Sequence, residues 1–242
     1  MKDTKLVAAR ASSARTAWRA LLQLVLLAGL ALAIPAWAQT APIDGGSEPP
    51  AILVVGDSLS AEYGLKRGAG WVALLEQRLA DEGHAFRVIN ASISGDTTSG
   101  GASRLPNLLR QHQPAVVIVE LGGNDALRGL PLRLSRDNLL RMVRRAQESG
   151  AQVILAGMQI PPNYGPAYAR EFQELFGEVA ETTGAALVPF LLEGIATDEA
   201  MFQADRIHPN EAAQTALLEN VWPVLAARLP SESPVPTQTE SR

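Results

Sequence analysis

The chain contains no cysteine and only three histidines among 242 residues, and aromatic residues make up 5%. Without cysteine there is no disulfide framework, no thiolate nucleophile and no lipid acceptor. Three scattered histidines, with no His-Glu-x-x-His run, leave a zinc site poorly supplied, and no metal or other cofactor is expected. No phosphate-loop Gly-Lys pair is present, nor a Gly-x-Ser-x-Gly elbow. Gly68-Ala69-Gly70-Trp71-Val72-Ala73 has the glycine spacing of a dinucleotide loop, but it starts well past the nearest apolar run and is discounted.

A long membrane span is missing too. The apolar run from Ala20 to Ile34 falls short of the ~20 residues a spanning helix requires. It follows Lys2, Lys5, Arg10, Arg15 and Arg19 and closes on Pro35-Ala36-Trp37-Ala38-Gln39, whose small residues suit a signal-peptide cut after Ala38. An uncleaved N-terminal anchor is the alternative. The Arg-Arg pair of twin-arginine export is absent. We therefore expect residues 1–38 to be a signal peptide and the mature protein to be periplasmic or secreted. That mature chain carries 16 basic and 24 acidic side chains, a balance that argues against nucleic acid as a partner.

What remains suffices for one domain with a core large enough to stand without disulfides. Residues 39–50 read as a linker and 230–242 as a flexible polar tail, which leaves 51–229 as the domain. Within it, short Val-, Ile- and Leu-rich runs recur at Ala51 to Val55, Phe86 to Ala91, Ala115 to Leu121, Gln152 to Met158 and Ala186 to Phe190. Their continuity predicts five strands buried on both faces.

Helical patterns lie between them. Trp71, Leu74, Leu75 and Leu79 share one face of a helix ending near Gly83. Ser135 is placed to cap a second, with Leu134 and Leu139 as its staple and Gly150 as its stop. Tyr168 to Thr183 turns Phe172, Leu175, Phe176 and Val179 inward. His208-Pro209-Asn210 opens the last helix, in which Pro223 introduces a bend. Alternating strands and helices predict an α/β fold with a parallel sheet covered on both sides.

Ligands of such sheets bind beyond the carboxyl ends of the strands, so the residues just after each strand matter most. They are Gly56-Asp57-Ser58, Ser92-Ile93-Ser94-Gly95-Asp96, Gly122-Gly123-Asn124-Asp125 and, further on, Asp205-Arg206-Ile207-His208. Small residues admit a ligand to the backbone, and Ser, Asn, Asp and His are the parts of acyl transfer. Taken alone, Ser58 is equally a cap, and Asn124 and Gly95 are equally turn residues. His208 stands three residues after Asp205, a spacing at which the carboxylate can fix the ring tautomer. His84 and His112 read as surface residues, the latter at a helix end.

Taken together, the blocks Gly56-Asp57-Ser58-Leu59-Ser60, Asn90 to Thr97, Glu120-Leu121-Gly122-Gly123-Asn124-Asp125 and Asp205 to Asn210 resemble the SGNH or GDSL hydrolases. The likeness spans about residues 51–229 and is strongest to the periplasmic branch of esterases, thioesterases and lysophospholipases. It implies a flavodoxin-like α/β/α sandwich with strand order 2-1-3-4-5. It also implies Ser58 as nucleophile, His208 as base, Asp205 as the acid that orients it, and an oxyanion hole of Ser58, Gly95 and Asn124. Leu121 and Tyr164 are expected at the substrate, Tyr164 within a loop that borders the acyl groove in the family.

The implied activity is hydrolysis of acyl esters and thioesters, including aryl esters and lysophospholipids, by a monomer without a cofactor. Two other readings stay open: a carbohydrate O-acetylesterase, and a flavodoxin-like protein that binds a small ligand without chemistry. Ser60, lying beyond the nucleophile, is expected to play an ordinary capping or loop role.

Overall fold

The computed structural model describes residues 48–229. The expected signal peptide, most of the linker and the tail lie outside the described residues. Five strands form one parallel sheet: β1 (Ala51–Gly56), β2 (Arg87–Asn90), β3 (Val116–Glu120), β4 (Gln152–Ala156) and β5 (Ala186–Val188). Their order is 2-1-3-4-5, as the family resemblance implies. β1 lies centrally, with Ile52 opposite both Val88 and Val116, so its carboxyl end opens beside those of β2 and β3. Order reverses at β1, the kind of switch point where open α/β sheets leave a crevice.

Among the described residues six α-helices enclose the sheet: α1 (Trp71–Asp81), α2 (Thr98–His112), α3 (Gly123–Leu127), α4 (Leu132–Glu148), α5 (Pro166–Thr183) and α6 (Gln214–Ala226). α2, α4 and α5 pack side by side, while α1 packs on α6, giving the α/β/α sandwich. Apolar residues of β1, β3 and β4 are almost wholly buried, as expected for strands covered on both faces. β2 is an edge strand whose residues are half-buried or, at Asn90, exposed, a departure from that expectation because no strand among the described residues pairs on its outer side.

Two further differences concern helix ends. Ser135 does not cap α4; it lies inside the helix, fully buried, and its hydroxyl donates to Asp125. Leu134 is 46% exposed and forms no staple, so the helix starts at Leu132, where Pro131 ends the preceding turn. The last helical region begins as predicted after Pro209, because the Asn210 side chain accepts from the Ala212 N–H. Pro223 lies within α6.

Candidate active site

Each catalytic candidate occupies a loop that the sheet feeds and that side chains then lock. β1 ends at Gly56, where a Cβ would come within 2.8 Å of Glu120 and of Ser60, so only glycine fits. Asp57 and Ser58 follow at once, and the chain turns, with the Ala61 N–H donating to Asp57 O. Glu62 then adopts φ 57°, a conformation that costs a non-glycine residue energy. Its carboxylate holds that turn by accepting from the N–H groups of Gly68 and Gly70.

On the other side, Asp205 begins a tight loop stabilised by its own side chain. Oδ1 accepts from the N–H of Ile207 at 2.9 Å and of His208 at 3.0 Å, while Arg206, between Asp205 and Ile207, sits at φ 58°. Gln203 fastens this loop to the first one: its Nε2 donates to Tyr63 O and to Pro209 O. The two strained residues thus flank the place where the two loops meet.

There Ser58 Oγ lies 3.0 Å from His208 Nε2, and His208 Nδ1 lies 2.7 Å from Asp205 Oδ2. An ionised carboxylate can only accept, so Nδ1 carries the proton and Nε2 is left to take one from the serine. Three N–H groups converge on Asp205, the backbone of His208 first among them, and hold its carboxyl down to about 2. Tyr63 lies against the imidazole with ring centroids 4.4 Å apart.

Asn124 stands at the carboxyl end of β3, just after Gly122 at φ +124°, and its amide donates to Asp57 Oδ2 at 2.8 Å. Asp57 Oδ1 accepts from the Leu59 N–H. Beneath them Glu120 is completely buried; its Oε2 accepts from Ser60 Oγ at 2.8 Å and from the Asp57 N–H at 3.3 Å. Ser60 is therefore buried, with its hydroxyl committed to Glu120.

The loop after β2 bears Gly95 at φ +78°, exposed at the surface, with Arg128 donating to its carbonyl. Arg104 ties that loop to β1, bonding Asp96 at 2.8 Å and reaching the Ala91 and Gly56 carbonyls. Buried Asp125 ties it to the Asn124 segment by accepting from Thr98 N–H at 2.9 Å and Thr98 Oγ1 at 2.5 Å.

Of the predicted site residues, Ser58, Asp205 and His208 are brought together. Leu121 is not at the surface of the site at all: it is fully buried in the core, against Gly101 of α2, because the strand end turns its side chain inward. Tyr164, in the short helical turn Pro162–Tyr164, is 45% exposed. His84 approaches Trp222 and His112 ends α2, and neither bonds to the triad residues. Sequence reasoning assigned no role to Tyr63, Asp57 or Glu120. The one available signal was a lone carboxylate, Glu120, ending an otherwise apolar strand.

A parallel 2-1-3-4-5 sheet with a serine, histidine and aspartate aligned across its carboxyl edge defines a serine-type ester hydrolase. Comparison with known proteins gives the same class: residues 54–216 match the GDSL-like lipase/acylhydrolase family, and the chain belongs to that family. Esterase TesA of Pseudomonas aeruginosa is 56% identical over 174 residues, covering 72% of this chain and 87% of that protein. A protein of Escherichia coli described as thioesterase, protease and lysophospholipase is 40% identical over 163 residues, 67% of this chain and 77% of its own. Among solved structures, that of TesA is similar with a TM-score of 0.73 and 55% identity, covering 74% of this chain and 99% of that one.

Proposed function

We propose that the protein hydrolyses acyl esters and thioesters through an acyl-enzyme on Ser58. The observation that carries this reading is the aligned chain Ser58 Oγ, His208 Nε2, His208 Nδ1, Asp205 Oδ2, with contacts of 3.0 and 2.7 Å. A serine hydroxyl is a weak nucleophile at neutral pH, so His208 takes its proton as Oγ attacks the acyl carbon. Asp205 stabilises the imidazolium that forms. His208 then returns the proton to the departing alcohol or thiol, and water repeats the cycle to free the acid.

Negative charge builds on the carbonyl oxygen in the tetrahedral intermediate. The N–H groups of Ser58 and Gly95 and the amide of Asn124 are assigned to it, each donor lowering the barrier by about 3 kcal/mol. Exposed apolar side chains support an acyl substrate: Ile207 adjoins His208, Ile93 precedes Gly95, and Tyr63 covers the imidazole. Tyr164, also exposed, is assigned to the same groove. Aryl esters, thioesters and lysophospholipids are included in this reading, supported by the names of relatives called esterase, arylesterase, thioesterase and lysophospholipase. Action by a monomer after export and removal of residues 1–38 completes the reading.

The test is Ser58→Ala, which abolishes hydrolysis of a p-nitrophenyl acyl ester and labelling by a fluorophosphonate probe while leaving the thermal midpoint in place. A substrate panel of octanoyl and acetyl esters separates this reading from a carbohydrate O-acetylesterase, for which strict acetate preference is required.

A further inference from the structure

The buried carboxyl pair under the nucleophile is not used by the triad. Glu120 lies wholly within the core at the end of β3, and its two oxygens are unlike. Oε2 receives two donors, the Ser60 hydroxyl and the Asp57 N–H, whereas buried Oε1 accepts from nothing. A buried carboxylate oxygen with no donor is costly, and a carboxylic acid with its proton on that oxygen removes the cost. Asp57 is the neighbouring carboxyl, its backbone N–H on Oε2, and two ionised carboxyls side by side in the core would repel each other. Burial first, then the Asp57 charge, pushes Glu120 well above the ordinary carboxyl range.

Asp57, in contrast, is placed to be an anion. Oδ1 accepts from Leu59 N–H and Oδ2 from the Asn124 amide. An amide has two N–H bonds on one nitrogen, and committing one to Asp57 fixes the direction of the other. Were Asp57 to carry its own proton on Oδ2, Asn124 would lose that acceptor and the amide would be free to turn its oxygen toward the substrate. A carbonyl oxygen there would repel the oxyanion instead of stabilising it.

We propose that Glu120 is held as the neutral acid, so that Asp57 beside it stays ionised and aims the Asn124 amide at the developing oxyanion. Glu120 and Asp57 are positioning residues, acting through Asn124. The inference rests on Asn124 serving the oxyanion hole. The titratable groups that face Asp57 are Glu120, His208 and Asp96, the last paired with Arg104. Burial outweighs these groups and raises Asp57 to about 6, so the arrangement is intact above that pH and lost below it.

The experiment measures kcat and KM on a p-nitrophenyl acyl ester for Asp57→Asn, Glu120→Gln, Asn124→Ala and the double variant Asp57→Asn/Asn124→Ala. Losing one oxyanion donor lowers kcat by about 10²–10³-fold, which is the expectation for Asn124→Ala. Asp57→Asn has a single acceptor oxygen for two donors and is expected to lose kcat by about ten- to a hundredfold with KM unchanged. In the double variant Asp57→Asn adds nothing to Asn124→Ala, since both act on one contact.

Glu120→Gln keeps kcat, because it is as neutral as the acid and its amide oxygen still accepts from Ser60 and from the Asp57 N–H. In infrared spectra at neutral pH, the wild type shows the carbonyl stretch of a buried protonated acid and Glu120→Gln lacks it. Additive losses, a Glu120→Gln enzyme as impaired as Asp57→Asn, or the absence of that band would overturn the proposal while leaving the triad reading intact. An unchanged kcat in Asn124→Ala would instead remove Asn124 from the oxyanion hole and this proposal with it. Should Asp57→Asn fail to fold, Glu120→Gln and its infrared band still decide.

Discussion

Tyr63 lays its ring against His208, with centroids 4.4 Å apart and the planes inclined by 40°. The ring therefore presents π density to the imidazole, and it matters most when that imidazole becomes a cation. Cation–π attraction at an exposed site is worth about 0.5–1 kcal/mol, or roughly two- to fivefold in rate. Tyr63→Leu is expected to lower kcat/KM by that factor and Tyr63→Phe to leave it unchanged. Equal losses in both variants would assign the effect to the hydroxyl instead of the ring.

Asp205 holds three donors from the loop it begins, two of them N–H groups of the backbone. Asp205→Asn can keep the backbone bonds through its amide oxygen but turns its NH₂ toward Nδ1. The imidazole then carries its proton on Nε2 and cannot accept one from Ser58, a tautomer fault that costs about 10⁴-fold in kcat. Since the carboxyl is held down to about 2, Asp205 stays ionised across the working range, and acid inactivation above pH 3 arises elsewhere. Steady-state kinetics of Asp205→Asn decide the matter, and a loss under tenfold would refute the orienting role.

Much of this was legible beforehand, and the reason is the parallel sheet. Its central strands are nearly continuous Val, Ile and Leu, and the polar residues that interrupt them fall at the carboxyl ends, where ligands bind. Ser58, Asn124 and Asp205 with His208 could therefore be read from their places in the chain. Contacts across long sequence separations could not. Glu120 meets Ser60 and Asp57 from another strand, and neither spacing nor periodicity reveals that meeting. Ser135 looked like a cap because Ser commonly is one, yet Asp125 draws its hydroxyl into the core. Leu121 misled for a related reason: its neighbours in sequence point to the site, while its own side chain packs under α2.

Thr98, fully buried at the start of α2, donates both its backbone N–H and its hydroxyl to Asp125, and accepts from the Asn138 amide. Thr98→Val keeps the shape and removes the hydroxyl, stranding a carboxylate lone pair and an amide N–H together. Stability is expected to fall by about 1–3 kcal/mol, seen as a lower urea midpoint with an unchanged m value. A midpoint equal to the wild type would mean that water replaces the hydroxyl at this site.

Asp57 carries a cost of the opposite kind, since burial raises its carboxyl from 3.8 to about 6. Between those two values the folded protein binds more protons than the unfolded chain, so stability falls as pH rises through the window. The penalty is complete above pH 6 and gone below about 4. Asn has no such charge to desolvate. Asp57→Asn should therefore gain stability relative to the wild type as pH rises from 4 to 7, whatever constant its altered hydrogen bonds add. Thermal midpoints of the two proteins across that range measure the difference directly, and parallel curves would show that folding does not raise the Asp57 carboxyl above its ordinary range. A rising difference together with the loss of kcat would show that this aspartate is retained for catalysis at the expense of the fold.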